Sequence, residues 1–270
     1  MPESSNSFRA LHAGARVLVL PNVWDALSGA LFRQAGAQAI ATGSAAVAWA
    51  CGYPDGEALP RANLLFAVNE IRRVSRGLPL SVDIESGYSN DPAEVVDLVQ
   101  RLISLGVAGI NLEDGGGDPG VLVAKIEAIK RSCMQAGNDI FVNARTDVYL
   151  NDLAEGEAAI RETIARLQLY ERAGADGSFV PAVSEADAIR SIARAIKRPL
   201  NVLAMPGLGK ASALYELGVR RLSAGPGLAK LAYGTAREAA MAFLRDGNSS
   251  NLSSPRALDF SQTNALFEGL

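Results

Sequence analysis

Eight times along the chain a short apolar run ends in small or polar residues, and segments of helical spacing lie between the runs. The first four are "VLVLPN" (17–22), "AQAIATGS" (37–44), "LPLSVDIESG" (78–87) and "AGINLED" (108–114). The others are "IFVNARTD" (140–147), "GSFVPAV" (177–183), "LNVLAMPG" (200–207) and "VRRLSAGP" (219–226). Strand and helix in alternation predict a parallel sheet, and eight units are what a closed α/β barrel of the TIM type, (β/α)8, requires. A doubly wound open sheet is the competing architecture, but it usually carries a glycine fingerprint after its first strand, and "LPNVWDALSG" has none. The segment "DPAEVVDLVQRLISLG" (91–106) illustrates the helices: Val95, Leu98, Val99, Leu102 and Leu105 fall mostly at three- and four-residue steps. Asp91 with Pro92 predicts its cap and first turn, Glu94 a capping box, and Gly106 its stop. Segments 155–175 and 184–199 repeat the scheme.

A chain of 270 residues can form one large domain of this kind, and 49% hydrophobic content supports its core. No linker interrupts it before about residue 245, so residues 1–245 are predicted to be the barrel and 246–270 a C-terminal helical extension. That extension opens on a serine- and asparagine-rich hinge. It then offers Leu258, Phe260, Leu266 and Phe267 as anchors, which favours docking, as on a neighbouring subunit, over a frayed tail. Lys plus Arg number 26 against 29 Asp plus Glu, so nothing suggests a nucleic-acid or anionic-membrane partner. The start lacks the apolar stretch of a signal peptide, no run reaches the ~18 apolar residues of a membrane span, and two cysteines make no disulfide framework. The expectation is a cytoplasmic protein.

Active sites of such barrels lie at the C-terminal ends of the strands. Polar residues gather there: Asn22, Trp24 and Asp25, then Thr42, Gly43 and Ser44, then Asp83 and Glu85. Asn111, Glu113 and Asp114 follow, with Asn143, Arg145 and Asp147 after them, and Asn201 sits early in the seventh run. Alternation along a strand predicts that Asp83 and Glu85 share a face. Like charges that close need a cation or a shared proton between them. With Glu113 on the next strand they form an all-oxygen environment suited to a hard ion such as Mg2+, with Mn2+ as an alternative. One direct carboxylate is enough, the others acting through water. Arg145 offers a fork of donors for a carboxylate or phosphonate, or simply neutralises the acids. Asp114 and Asp147 could equally be helix caps.

Missing residues narrow the chemistry. His12 is the single histidine and is expected to be an ordinary surface residue ahead of the first strand. No histidine-based triad or histidine-ligated zinc site is available, and neither Cys51 nor Cys133 has a histidine to activate it. "MPGLGKAS" (205–212) fails the phosphate-loop spacing; with "AGPGLAK" (224–230) it is either an anion cradle or a pair of tight turns.

"LPNVWDALSGALFRQAGAQAIATGS", "GYPDGE", "VDIESGY", "GVAGINLED" and "NARTDVYL" occur in order at barrel positions. Over roughly residues 15–235 the chain resembles the isocitrate lyase/phosphoenolpyruvate mutase superfamily. The resemblance implies a Mg2+-dependent enzyme that holds a 2-oxo acid and stabilises the enolate formed beside the carbonyl. It implies Asp83 as direct metal ligand, Glu85 and Glu113 on metal waters, and Arg145 as the substrate grip. Thr42, Gly43 and Ser44 would cradle the 2-oxo carboxylate, Asp55 would sit on a mobile loop over the site, and Trp24 would form pocket wall. A homodimer or homotetramer, with the C-terminal segment crossing to a partner, is also implied.

The departures bear on the reaction. Lyases of the superfamily carry a Lys-Arg-Cys-Gly-His lid after the fourth strand, and the mutases and hydrolases a lysine- and asparagine-containing one. Here the chain reads "EDGGGDPGVLVAKIEAI", short and glycine-rich. The third-strand motif is Asp-x-Glu where many members have Asp-x-Asp. The sequence therefore favours a carbon–carbon lyase or decarboxylase for a small 2-oxo acid. Phosphonate chemistry and a catalytically weak 2-oxo acid binding protein are the alternatives.

Overall fold

Proline has no amide hydrogen to give to a sheet, and Pro21 cuts the first predicted strand in two. In the computed structural model, which describes residues 2–255 and 257–269, the pieces are β1 (Leu18–Leu20) and β2 (Asn22–Val23). Then come β3 (Ile40–Thr42), β4 (Leu80–Asp83), β5 (Gly109–Glu113) and β6 (Phe141–Arg145). The sheet is completed by β7 (Gly177–Val180), β8 (Leu200–Leu203) and β9 (Val219–Ser223). All neighbours are parallel, in the order β1-β9-β8-β7-β6-β5-β4-β3-β2. Leu18 pairs with Arg221 and Asn22 with Ala41, so the two halves face opposite neighbours and the ring closes through Pro21. The Pro21 carbonyl still accepts from Ala41 N at 3.1 Å. The result is the predicted TIM-type barrel.

Its helices are α1 (Pro2–His12), α2 (Ala26–Gln34), α3 (Ser44–Ala50), α4 (Arg61–Ser75), α5 (Pro92–Ser104) and α6 (Pro119–Ala136). They continue with α7 (Gly156–Ala173), α8 (Ala186–Ala195), α9 (Ala211–Glu216), α10 (Gly227–Asp246) and α11 (Phe260–Ala265). Outward-facing strand residues such as Ile40, Val82, Ile110, Val142 and Val202 pack with the helices into one core. In α5 the Asp91 side chain accepts from Ala93 N, as predicted. Glu94 does not serve the expected capping box, because Arg61 of α4 draws its carboxylate to 3.3 Å.

One expectation about the N-terminus is corrected. Residues 2–12 form a helix the strand pattern did not announce, and His12 is buried. Phe8, Leu11 and His12 share one face at helical spacing, and that face closes the strand-start end of the barrel. Phe8 packs among Leu18, Leu20, Ala39, Ala41, Ala108 and Phe141. A Cβ on Gly109 would stand 2.8 Å from the Phe8 ring, which is why that position is glycine. His12 stacks on Phe141 with centroids 4.4 Å apart and holds Nδ1 2.8 Å from the Phe8 carbonyl. Burial, with Arg221 and Arg9 nearby, pushes its pKa down to about 3, so it is neutral and Nδ1 carries the hydrogen. Arg9 fastens the helix to Asp139 at 2.6 Å and to Asp176.

At the other terminus α10 stops at Gly247, with φ of +71°. Beyond it Leu266 is buried against Ala30 and Val74, with Phe267 beside it, while Leu258 and Phe260 remain exposed. Among the described residues no helix is long and apolar enough to cross a membrane.

Candidate active site

Strand β4 stops at Asp83, so the alternation expected to carry Glu85 onto the same face ends before reaching it. A sharp turn joins the two acids instead. Glu85 and Tyr88 adopt φ of +52° and +61°, and Glu85 N donates to Asp83 Oδ1 at 3.2 Å. Between them Gly87 has φ of +102°, and a Cβ there would meet both Val95 methyls at 2.9 and 3.0 Å. Positive φ on side-chain-bearing residues costs on the order of 1–3 kcal/mol each and tends to collect at functional sites. Glu57 is a third such residue here, at φ of +60°.

Hydrogen bonds lock the neighbouring strand ends together. Asp83 N donates to Thr42 Oγ1 at 2.9 Å, and Ser44 N approaches Asp83 Oδ2 at 3.4 Å. Asn22 Nδ2 donates to the Thr42 carbonyl at 2.8 Å, while Asn22 Oδ1 accepts from Gly225 N at 2.8 Å. Gly225 thus serves a turn, and of the two readings of the glycine segments the turn is what this contact supports. Glu113 and Arg145 lie in register on β5 and β6 and form an ion pair at 2.6 Å. Arg145 also grips Asp147 through Nε at 2.6 Å and Nη2 at 3.0 Å. Asp147 is therefore the partner of that arginine and caps no helix.

Asp114 is likewise not a cap. It accepts from Tyr170 at 2.6 Å, Gly116 N at 2.9 Å, Asp147 N at 3.1 Å and Arg166 at 3.1 Å. Arg166 also holds the Gly117 carbonyl at 2.8 Å and Asn151 the Gly115 carbonyl at 3.1 Å. The short glycine-rich segment after β5 is thereby pinned down, and Asp118 caps α6 through Gly120 N at 2.8 Å.

The electrostatics of the acids share one cause. Burial pushes Asp83 up, and Asp55 adds to it, against the pull of Arg145 and the amides of Glu85 and Ser44. Glu85 is raised to about 7 by burial and by Asp55, Asp83 and Glu57. Glu113 is raised to about 9: burial, Asp83, Asp147 and Glu85 outweigh Arg145. Burial would lower Arg145, yet Glu113, Asp147 and Asp83 hold it above its ordinary value. The pocket carries more negative charge than one arginine can neutralise. Glu113 Oε2 is buried without an aligned donor despite its ion pair. Among the described residues no three acidic, histidine or cysteine side chains converge closely enough to ligate one ion directly. That donor set fits a hard dication held by one carboxylate with waters reaching the others.

A second loop closes over this cluster. Asp55 is exposed on the segment between α3 and α4. Glu57, two residues on, latches it: Glu57 N donates to Glu85 Oε2 at 2.8 Å, and Glu57 Oε1 accepts from Ser86 Oγ at 2.6 Å and Tyr88 N at 2.7 Å. Lys125 of α6 is buried and donates to the Ser86 carbonyl at 2.7 Å, lining a cavity of about 210 Å3 with Glu113, Ser86 and Asn90. Sequence reasoning passed over both. Glu57 stood within "GYPDGE", and Lys125 falls on the same helical face as Leu122, Ile126 and Ile129. Asn201 lies fully inside the barrel and accepts from Ser223 Oγ at 3.2 Å. Trp24 lies to one side, 6.0 Å from both Phe32 and Tyr233, lining an apolar cleft of about 350 Å3 with Leu27, Leu31 and Leu231. Cys133 is buried in α6, and Cys51 is exposed.

A family model described as phosphoenolpyruvate phosphomutase matches residues 8–244. The chain belongs to this family. It is an enzyme of the isocitrate lyase/phosphoenolpyruvate mutase superfamily, whose members act on carbon–carbon or carbon–phosphorus bonds. An uncharacterized protein of Mycobacterium tuberculosis is 40% identical over 224 residues, 81% of each chain. The oxaloacetate decarboxylase of Paraburkholderia xenovorans is 30% identical over 201 residues, 70% of this chain and 64% of that one. The crystal structure of 2,3-dimethylmalate lyase superposes with a TM-score of 0.85 over 97% of this chain and 94% of its own, at 24% identity, which speaks to the barrel alone.

Proposed function

We propose that this family member is a Mg2+-dependent lyase that cleaves or decarboxylates a small 2-oxo acid. The observation that carries the reading is the buried surplus of carboxylates around Asp83, including Glu113, whose Oε2 meets only the Arg145 ion pair, beside the doubly gripped Arg145. The 30% identity to an oxaloacetate decarboxylase supports the same class. Asp83 would hold the ion directly, with Glu85 and Glu113 taking its waters. A bound dication would supply Lewis-acid stabilisation for charge developing on the 2-oxo oxygen. The chain's own groups do the rest. Arg145 offers Nη atoms to an anionic substrate, and Thr42, Gly43 and Ser44, at the end of β3 beside Asp83, would border its carboxylate. The Glu57 latch ties the loop that carries Asp55 to the turn after β4.

Carbon–phosphorus chemistry is the weaker reading because the segment after β5 is tied down by Asp114, Arg166 and Asn151 and carries no lysine or asparagine. The deciding assay offers oxaloacetate, 2-methylisocitrate and phosphonopyruvate with Mg2+ and with chelator. Turnover of oxaloacetate or 2-methylisocitrate that chelator abolishes is expected. Turnover surviving chelator, or of phosphonopyruvate alone, overturns the proposal, and tight oxalate binding without turnover marks a binding protein instead.

Assembly of identical chains into a dimer or tetramer belongs to the same reading. It is supported by α10, where Leu231, Met241 and Leu244 are exposed and Ala229 alone is buried. Sedimentation of the chain cut at Gly247 is expected to show a smaller assembly than the full chain, and an unchanged one counts against a C-terminal exchange.

A further inference from the structure

Arg221 is an arginine wholly enclosed by the barrel. It faces inward because of a local irregularity: Leu200 pairs with Val219 but Asn201 with Arg221, so Arg220 is an extra residue in β9. Such a bulge re-aims the side chain that follows it. Among the described residues no carboxylate lies within ion-pair distance of Arg221. Its Nη2 donates to Asn111 Oδ1 at 3.2 Å, an oxygen that also accepts from Asn143 Nδ2 at 2.9 Å. The guanidinium carbon is 5.9 Å from the Phe8 ring, and Nε and Nη1 have no partner.

A lone buried charge is among the costliest features a fold can keep, and replacing it by an apolar group is often neutral or better. Its retention calls for an opposite charge that it serves. Asn111 is the register partner of Asp83, so the guanidinium sits one hydrogen bond below the residue flanking that acid. Burial pulls the Arg221 pKa down to about 9, and Asp83 is the group that opposes the fall. With Asp83, Glu85, Glu113 and Asp147 ionised, four negative charges face the positive charges of Arg145 and Arg221, and removing Arg221 deepens that deficit by one.

We propose that Arg221 is a positioning residue, a fixed positive floor beneath the acids that weakens their hold on the divalent cation and strengthens the hold on the anionic substrate. This rests on the proposed cation and 2-oxo acid site. The two affinities must then move in opposite directions when the charge is removed, whereas damage to the barrel interior would weaken both.

The test measures Mn2+ binding by the loss of its free spin-resonance signal, then oxalate binding at saturating Mn2+. It uses the wild-type chain, Arg221→Met, Arg221→Gln and Arg221→Lys. For Met and Gln the expected result is Mn2+ bound roughly tenfold more tightly and oxalate roughly tenfold more weakly, the scale of one unit charge inside a barrel. Lys, whose ammonium is discharged by burial more readily than a guanidinium, is expected to fall between wild type and Met and to approach wild type as the pH is lowered. Unchanged affinities, or losses in both, overturn the inference and leave the proposed function standing. Absence of Mn2+ binding by the wild type overturns both. If Met and Gln fail to fold while Lys folds, the role is structural and the inference is likewise overturned.

Discussion

Asp83→Ala is expected to lower kcat/KM for the proposed 2-oxo acid substrate by roughly a thousandfold, the scale of losing a main electrostatic stabiliser of the transition state. Asp83 is nearly enclosed, its carboxylate receives the amides of Ser44 and Glu85, and its own amide is fixed to Thr42. The alanine variant also leaves buried amides unpaired, at about 1–3 kcal/mol. Asp83→Asn narrows the difference, since its amide oxygen can keep the closer bond from Glu85 N at 3.2 Å while the Ser44 amide at 3.4 Å loses its acceptor, and it carries no charge to hold a cation. That variant should melt within a few degrees of wild type and be nearly as inactive as the alanine one. Activity within tenfold of wild type in Asp83→Asn would remove this residue from the mechanism.

The second large effect is a stability that falls as pH rises, provided divalent cations are absent. Glu113, at about 9, and Glu85, at about 7, are raised from ordinary values of 4.5, and Asp83 and Asp147 are raised as well. A raised carboxyl keeps its proton when folded and releases it when unfolded, so its contribution is complete below the unfolded pKa and vanishes as pH climbs through the folded one. The window set by Glu85 and Glu113 runs from about 4.5 to about 9. Asp114 has the opposite sign. Burial raises it, but the donors of Tyr170, Gly116 and Asp147 prevail and hold it below its usual range, so its contribution is lost in acid. Metal-free protein should therefore melt highest in mild acid and lose several degrees by about pH 8.5, since about 1 kcal/mol moves Tm by a few degrees at this size. With the proposed cation site, Mg2+ should bind the ionised acids and restore most of the loss at the alkaline end. Melting curves with chelator and with Mg2+ check this; a flat chelator series would show that the acids do not titrate as their burial dictates.

Much of the fold was legible because its information is periodic. The eightfold alternation gave the barrel, and Asp91, Pro92 and Gly106 gave the bounds of α5 nearly to the residue. Single-residue geometry was harder. Pro21 splits a strand without changing its apolar pattern. Glu85 leaves the alternation because the backbone turns to positive φ, which a glutamate does not advertise. The inward aim of Arg221 depends on a bulge invisible in "VRRLS". His12 reads as polar until the helix that carries it is seen against Phe141. The strand-end acids and Arg145 were legible because charge is rare beside apolar runs, whereas Glu57 and Lys125 act through backbone carbonyls and amides that no side-chain pattern records.

The Phe8 stopper bears on traffic. With the strand-start end sealed by an aromatic plug and its helix, the barrel has a single doorway, shared by whatever arrives and whatever departs. For the proposed cleavage reaction, both fragments of the substrate would have to depart by that same doorway.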